Sequence, residues 1–127
     1  MSGLVMDTPR GDRVVRWVRP EAIAVGGQEL RASFAVSPER LIEDWPVPSP
    51  ERLDAAALAP LLAQDPELVV LGTGGRRVEL PPDLQFQVLS RGIGLEVMDN
   101  GAAARTYNLL LGEGRRVLAA FILPAPG

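Results

Sequence analysis

Residues 92–123, GIGLEVMDNGAAARTYNLLLGEGRRVLAAFIL, read as a strand, a capped helix, a glycine stop and a buried strand, and this succession decides the fold. Residues 95–98 are short and apolar apart from Glu96. Gly92 and Gly94 bracket Ile93, as a helix stop followed by a strand start requires. Asp99 stands at the N-cap position, where its carboxylate accepts from the free N–H groups of the first helical turn. Ala102, Ala103, Thr106, Leu109 and Leu110 recur at helical spacing and are expected to form the buried face. Gly112 and Gly114 end the helix, with Arg115 and Arg116 near its negative end. Residues 117–123 carry no polar side chain, so this strand is apolar on both faces and needs a covering layer on each.

Outward from this stretch, the second half of the chain alternates strand and helix. Residues 67–71 are a short apolar strand followed by Gly72-Thr73-Gly74-Gly75 and Arg76-Arg77. Pro81 and Pro82 open the next helix, where a missing N–H costs nothing, and Leu84, Val88 and Leu89 give its buried side. Upstream, Leu53, Ala57, Leu58, Leu61 and Leu62 have helical spacing, with Pro60 kinking that helix or delaying its start. Pro38, Pro46, Pro48 and Pro50 keep residues 37–50 from forming a long helix. The N-terminal third reads differently. Residues 13–18 are strand-like, and Gly26-Gly27 joins two further arms as a two-residue hairpin turn, because glycine accepts positive φ there. Residues 33–36 are expected to extend the second arm of an antiparallel meander.

Together these readings predict an α/β fold: three layers, a central mixed sheet with helices on both faces, and a small N-terminal antiparallel β unit. Strand–helix alternation in the second half predicts parallel pairing there. Residues 1–12 are expected to be a flexible tail, and residues 13–124 a single domain.

Composition removes several chemistries. The 127 residues include no Cys and no His. There is accordingly no thiol nucleophile, disulfide or thiolate metal site, and no Ser-His triad or imidazole ligand. No metal and no cofactor are expected. Net charge is −3, and phosphate backbones require a concentrated basic face, so nucleic acid is not an expected partner. No apolar run reaches the length of a membrane-spanning helix. The N-terminal residues lack the basic start and apolar core of a signal peptide, and a cytoplasmic location is expected.

The run Gly92-Ile93-Gly94, Glu96-Val97-Met98-Asp99, Ala102-Ala103, Arg105-Thr106-Tyr107-Asn108 and Glu113-Gly114-Arg115-Arg116-Val117 resembles the signature of a small uncharacterised α/β family. That family includes a mitochondrial respiratory complex I assembly factor and an adipogenesis-associated domain protein. Leu71-Gly72-Thr73-Gly74, and Ser37-Pro38 followed by Trp45, fit the same pattern, so the resemblance runs from about Trp17 to Pro124. It implies a mixed sheet whose last strand is antiparallel to its neighbours. It also implies a protein that acts by protein contact. Two positions depart from the family pattern: Asn100 stands where Thr is expected, and Ala104 where Cys is common.

Two groups of residues are candidates for a ligand. Gly72, Thr73, Gly74 and Arg76 follow a strand, where open α/β sheets place ligands and where backbone N–H groups can approach an anion. The phosphate-loop Lys and the dinucleotide fingerprint are both absent, and a tight turn is the simpler explanation of these glycines. Asp99, Asn100, Arg105, Thr106 and Asn108 occupy the second strand end and the helix that follows. Asp99 is first of all a helix cap, and Arg105 is a candidate for an internal ion pair with Glu96 or Asp99. Tyr107 is expected to be partly buried with its hydroxyl at the rim. No catalytic residue set emerges. An assembly or accessory factor is the expected function. A small-molecule or anion-binding module at the strand ends near Thr73 and Asp99, with an enzymatic role left open, is the alternative.

Overall fold

Alternate residues of two neighbouring strands face two different cores, and everything else is layered on that alternation. A computed structural model describes residues 13–126; the expected tail over residues 1–12 lies outside them. The elements in chain order are β1 (Val15–Arg19), β2 (Ala22–Val25), β3 (Gln28–Leu30), β4 (Phe34–Val36), β5 (Leu41–Ile42), a 3-10 turn (Pro50–Arg52), α1 (Ala55–Leu62), β6 (Leu68–Gly72), α2 (Pro82–Leu89), β7 (Gly94–Met98), α3 (Asn100–Gly112) and β8 (Val117–Phe121). Val69 and Leu71 of β6, with Leu118 and Ala120 of β8, join the core built with α1 and α2. Val70, Val117, Ala119 and Phe121 join the opposite core, built with α3 and the N-terminal β unit. A strand with no polar residue therefore sits in the middle of the sandwich, as its sequence requires.

The five-stranded sheet has the order β5-β4-β8-β6-β7. β6 is parallel to both of its neighbours, while β4 runs antiparallel to β8 and to β5. The sheet is mixed, as expected, but β8 is antiparallel only to β4. The expectation that it opposes all its neighbours is corrected by its parallel register with β6, Leu68 to Val117 through Gly72 to Phe121. The chain steps one way from β6 to β7, then back across β6 to β8. Right-handed crossovers in opposite directions put their helices on opposite faces. α2 and α3 accordingly bury their apolar sides in different cores.

The N-terminal unit is the antiparallel sheet β1-β2-β3, with the β2–β3 turn at Gly26, whose φ is +58°. Residues 33–36 do not extend it: they leave as β4 and pair with β8 in the larger sheet. Buried Ser33 marks the change of sheet, with its hydroxyl against the Val47 and Leu123 carbonyls and accepting from the Leu123 N–H. Trp45 anchors the proline-rich segment by donating Nε1–H to the Ala57 carbonyl at 2.9 Å. α1 starts at Ala55, capped by the Asp54 carboxylate, and carries Pro60 inside it, so the proline does not set where the helix begins.

The buried face of α3 is Asn100, Ala103, Ala104, Tyr107 and Leu111, one position out of phase with the expected stripe. Leu109 is 63% exposed, whereas Tyr107, expected at the rim, is fully buried. Three successive alanines and three successive leucines leave the helical phase open in the sequence. The large aromatic ring settles it, because burying it removes the most apolar area from water. Leu89 of α2, expected to be buried, is 52% exposed.

Candidate functional site

Two strand ends that feed helices on opposite faces leave a crevice between them, and in open α/β sheets that crevice is where ligands bind. Here it lies between the carboxyl ends of β6 and β7, so the topology brings Gly72, Thr73 and Gly74 to Asp99 and Asn100. Pairing of Gly72 with Met98 puts the two ends in register, and the Thr73 N–H donates to the Met98 carbonyl at 2.9 Å.

Protein atoms fill this crevice. Asn100, 5% exposed, is the centre of the arrangement. Its backbone N–H donates to the Gly74 carbonyl at 2.8 Å, and its Oδ1 accepts from the Gly74 N–H at 3.1 Å. Its Nδ2 donates to the Ile122 carbonyl at 3.0 Å, just past the end of β8. One amide thus joins the ends of β6 and β8 to the start of α3, with each buried polar group satisfied by another. Thr73, 3% exposed, closes the following loop. Its hydroxyl donates to the Arg76 carbonyl at 2.7 Å and accepts from the Val78 N–H at 2.9 Å. Asp99 caps α3 by accepting from the Ala102 N–H at 2.8 Å, an interaction worth about 1 kcal/mol.

The remaining candidates are dispersed. Arg105 is exposed, with its guanidinium beside Gly101, so the anticipated internal position is corrected. Thr106 donates to the Met98 sulfur at 3.3 Å. Asn108 lies about 12 Å along the helix axis from Asn100. Its side chain brackets the Val15 backbone, accepting from the N–H and donating to the carbonyl, both at 2.9 Å. That is the bonding pattern of a neighbouring β-strand, and it fastens the N-terminal unit to α3. Arg76 is exposed, and Arg77 donates Nε–H to the Val97 carbonyl at 3.0 Å. Among the described residues at the crevice, the exposed guanidiniums of Arg76 and Arg105 and the second oxygen of the Asp99 carboxylate are left to meet a solute. These groups offer charge and hydrogen bonds to a solute.

A concavity of about 700 Å³ opens elsewhere, at the amino ends of β6 and β8, lined among others by Arg40, Pro60, Gln64, Arg116 and Leu118. Sequence reasoning missed it, because its lining comes from three separated segments and no local motif marks them. Among the described residues, no cluster of three or more His, Cys, Asp or Glu could hold a metal, and no helix is long and apolar enough to cross a membrane.

Residues 15–122 match the family model described as a protein of unknown function (DUF498/DUF598), and the chain belongs to that family. It is 32% identical over 110 residues, 85% of its length, to a zebrafish (Danio rerio) protein named NADH dehydrogenase [ubiquinone] 1 alpha subcomplex assembly factor 3. It spans 63% of that relative's length. A solved structure from Xanthomonas campestris superposes with a TM-score of 0.82 at 43% identity, covering 90% of this chain and 86% of the other. A Bordetella pertussis structure described as an Mth938-like domain gives 0.79 at 30% identity, covering 97% and 92%.

Proposed function

We propose that this DUF498/DUF598 chain works by contact with other proteins, as an assembly or accessory factor, and that its partners belong to NADH dehydrogenase during assembly. The observation that carries this is the extended similarity to a relative named for that assembly. The geometry of the strand ends supports it, since Asn100 and Thr73 spend their hydrogen bonds on the protein itself. Exposed Phe86 and Leu89, three residues apart on one face of α2, give adjacent apolar surface of the kind protein contacts use. A cytoplasmic location is part of the proposal, and cell fractionation tests it. The contact is tested by cross-linking the tagged chain in intact cells that make NADH dehydrogenase. Recovery of its subunits at natural expression level is expected, and recovery of chaperones alone rejects the proposal.

A second reading keeps the strand ends as a binding site for a small anion, held by Arg76 and Arg105 at the rim of the closed crevice. It is favoured by the open space above Gly74 and Gly75. Thermal shifts with phosphate, carboxylates and nucleotides, lost in an Arg76→Ala/Arg105→Ala variant, are its expected result. No shift at millimolar ligand rejects it.

A further inference from the structure

The opening at the amino ends of β6 and β8 has the dimensions and chemistry of a ligand site. Its volume of about 700 Å³ falls within the range of roughly 300–1,000 Å³ typical of small-molecule pockets. It arises where α1 ends at Leu62 and the chain turns through residues 63–66 into β6, leaving half-buried Ile42 facing an open space. Pro60 and Ala63 supply an apolar wall. Pro60 also brings a ring and no N–H, so it adds surface without adding a polar group that needs a partner.

The mouth is charged. Arg116 is fixed by its backbone, whose N–H donates to Glu67 Oε1 at 2.9 Å and whose carbonyl accepts from the Glu67 N–H at 2.9 Å. Its guanidinium reaches the Asp65 carbonyl only at 3.5 Å, the limit of a hydrogen bond, so most of its five donors stay available. Arg40 lines the same opening and is exposed. Two carboxylates, Glu39 and Asp65, line it as well. The lining charges balance, so a ligand is favoured by the unspent guanidinium donors rather than by a surplus of positive charge, and the two acidic side chains favour one negative charge over two. Half-buried Gln64 adds an amide at the same rim.

We infer that this opening binds a small amphipathic carboxylate, its hydrocarbon body against Ile42, Pro60 and Ala63 and its carboxylate between Arg40 and Arg116. A planar carboxylate matches the guanidinium fork, and a dianion would meet Asp65. The site lies at the opposite sheet edge from Thr73 and Asn100 and stands independently of the protein-contact proposal.

The experiment is amide NMR titration of the full chain with octanoate, octanol and inorganic phosphate. Octanoate is expected to give saturable shifts at residues 39–42, 63–66 and 116–118, and none at residues 72–76. Octanol is expected to bind at least about tenfold more weakly, since it lacks the charge-assisted hydrogen bonds. Phosphate is expected to give no saturable shifts there. An Arg40→Gln/Arg116→Gln variant should remove the preference for octanoate over octanol. Ala63→Trp, or Gln64→Trp as an independent filling variant, should abolish both while leaving remote resonances in place. The inference is overturned by any of three results: no saturable octanoate shift, equal binding of octanoate and octanol or phosphate, or octanoate binding that survives both filling variants.

Discussion

Asn100 sits directly over Gly72. A Cβ on Gly72 would overlap Asn100 Oδ1 and come within 3.2 Å of Asn100 Cα and Ala103 Cβ. The glycine is there to let a side-chain amide cross the strand end and reach Gly74 on one side and Ile122 on the other. Gly72→Ala is expected to destabilise the fold by about 1–3 kcal/mol through overpacking. Asn100→Ala is expected to cost about 1–3 kcal/mol for each buried group it leaves unpaired. Because Asn100→Ala removes the overlapping oxygen, the double variant should be more stable than the sum of the singles by at least about 0.5 kcal/mol. Urea unfolding of the four proteins measures this coupling. Strict additivity would show that the two residues do not touch.

Asn108 fastens the β1-β2-β3 sheet to α3 through both backbone groups of Val15. Asn108→Ala leaves those groups without their partner and should cost about 1–3 kcal/mol. Asn108→Asp keeps the acceptor for the Val15 N–H but sets an oxygen against the Val15 carbonyl. It should loosen the sheet while preserving the larger one. Hydrogen exchange is the readout: protection should fall in residues 15–30 and hold in residues 68–72 and 117–121.

Glu67 ties the start of β6 to the start of β8. Its carboxylate is held below its ordinary value first by the hydrogen bond from the Arg116 backbone N–H, then by the neighbouring Arg115 side chain, which it pairs at 3.2 Å. A carboxyl whose pKa is depressed by folding contributes stability above its unfolded value, and that contribution is lost as pH falls through the folded one. Stability attributable to Glu67 should therefore be complete above about pH 4.5 and decline below it. Glu67→Gln should flatten that part of the acid limb. Thermal unfolding at pH 3 to 6 checks it; an unchanged slope in the variant removes the assignment.

Most of the architecture was legible because it rests on local signals. Gly26-Gly27, Asp99 and the uninterrupted apolar run from Val117 each carry their meaning in a few adjacent residues, and the hairpin, the helix cap and the central strand stand where those residues put them. What escaped was tertiary. Nothing adjacent to Phe34 says that its strand leaves the hairpin sheet for β8, since that choice depends on a partner about 90 residues away. The phase of α3 was hidden by runs of identical residues. Asn108 looked like a site residue because a polar group on a packed helix needs a partner, and its partner is the backbone of the first strand. Thr73 and Asn100 do meet at one sheet edge, but the backbone groups that take up their hydrogen bonds, Val78 for Thr73 and Gly74 for Asn100, are tertiary partners that no local residue announces.

If residues 13–124 form one folding unit, a chain limited to them should unfold in a single transition with the same midpoint by circular dichroism and by tryptophan fluorescence. Trp17 reports on the N-terminal unit and Trp45 on the segment beside α1, so separate transitions would divide the chain.

Action through protein contact is tested most directly by native size fractionation of extracts from cells that make the tagged chain at its natural level, with covalent cross-links introduced beforehand. If the chain serves assembly, it should migrate in particles far larger than itself, cross-linked to NADH dehydrogenase subunits. Migration as a free chain, with no such subunit attached, would contradict that role.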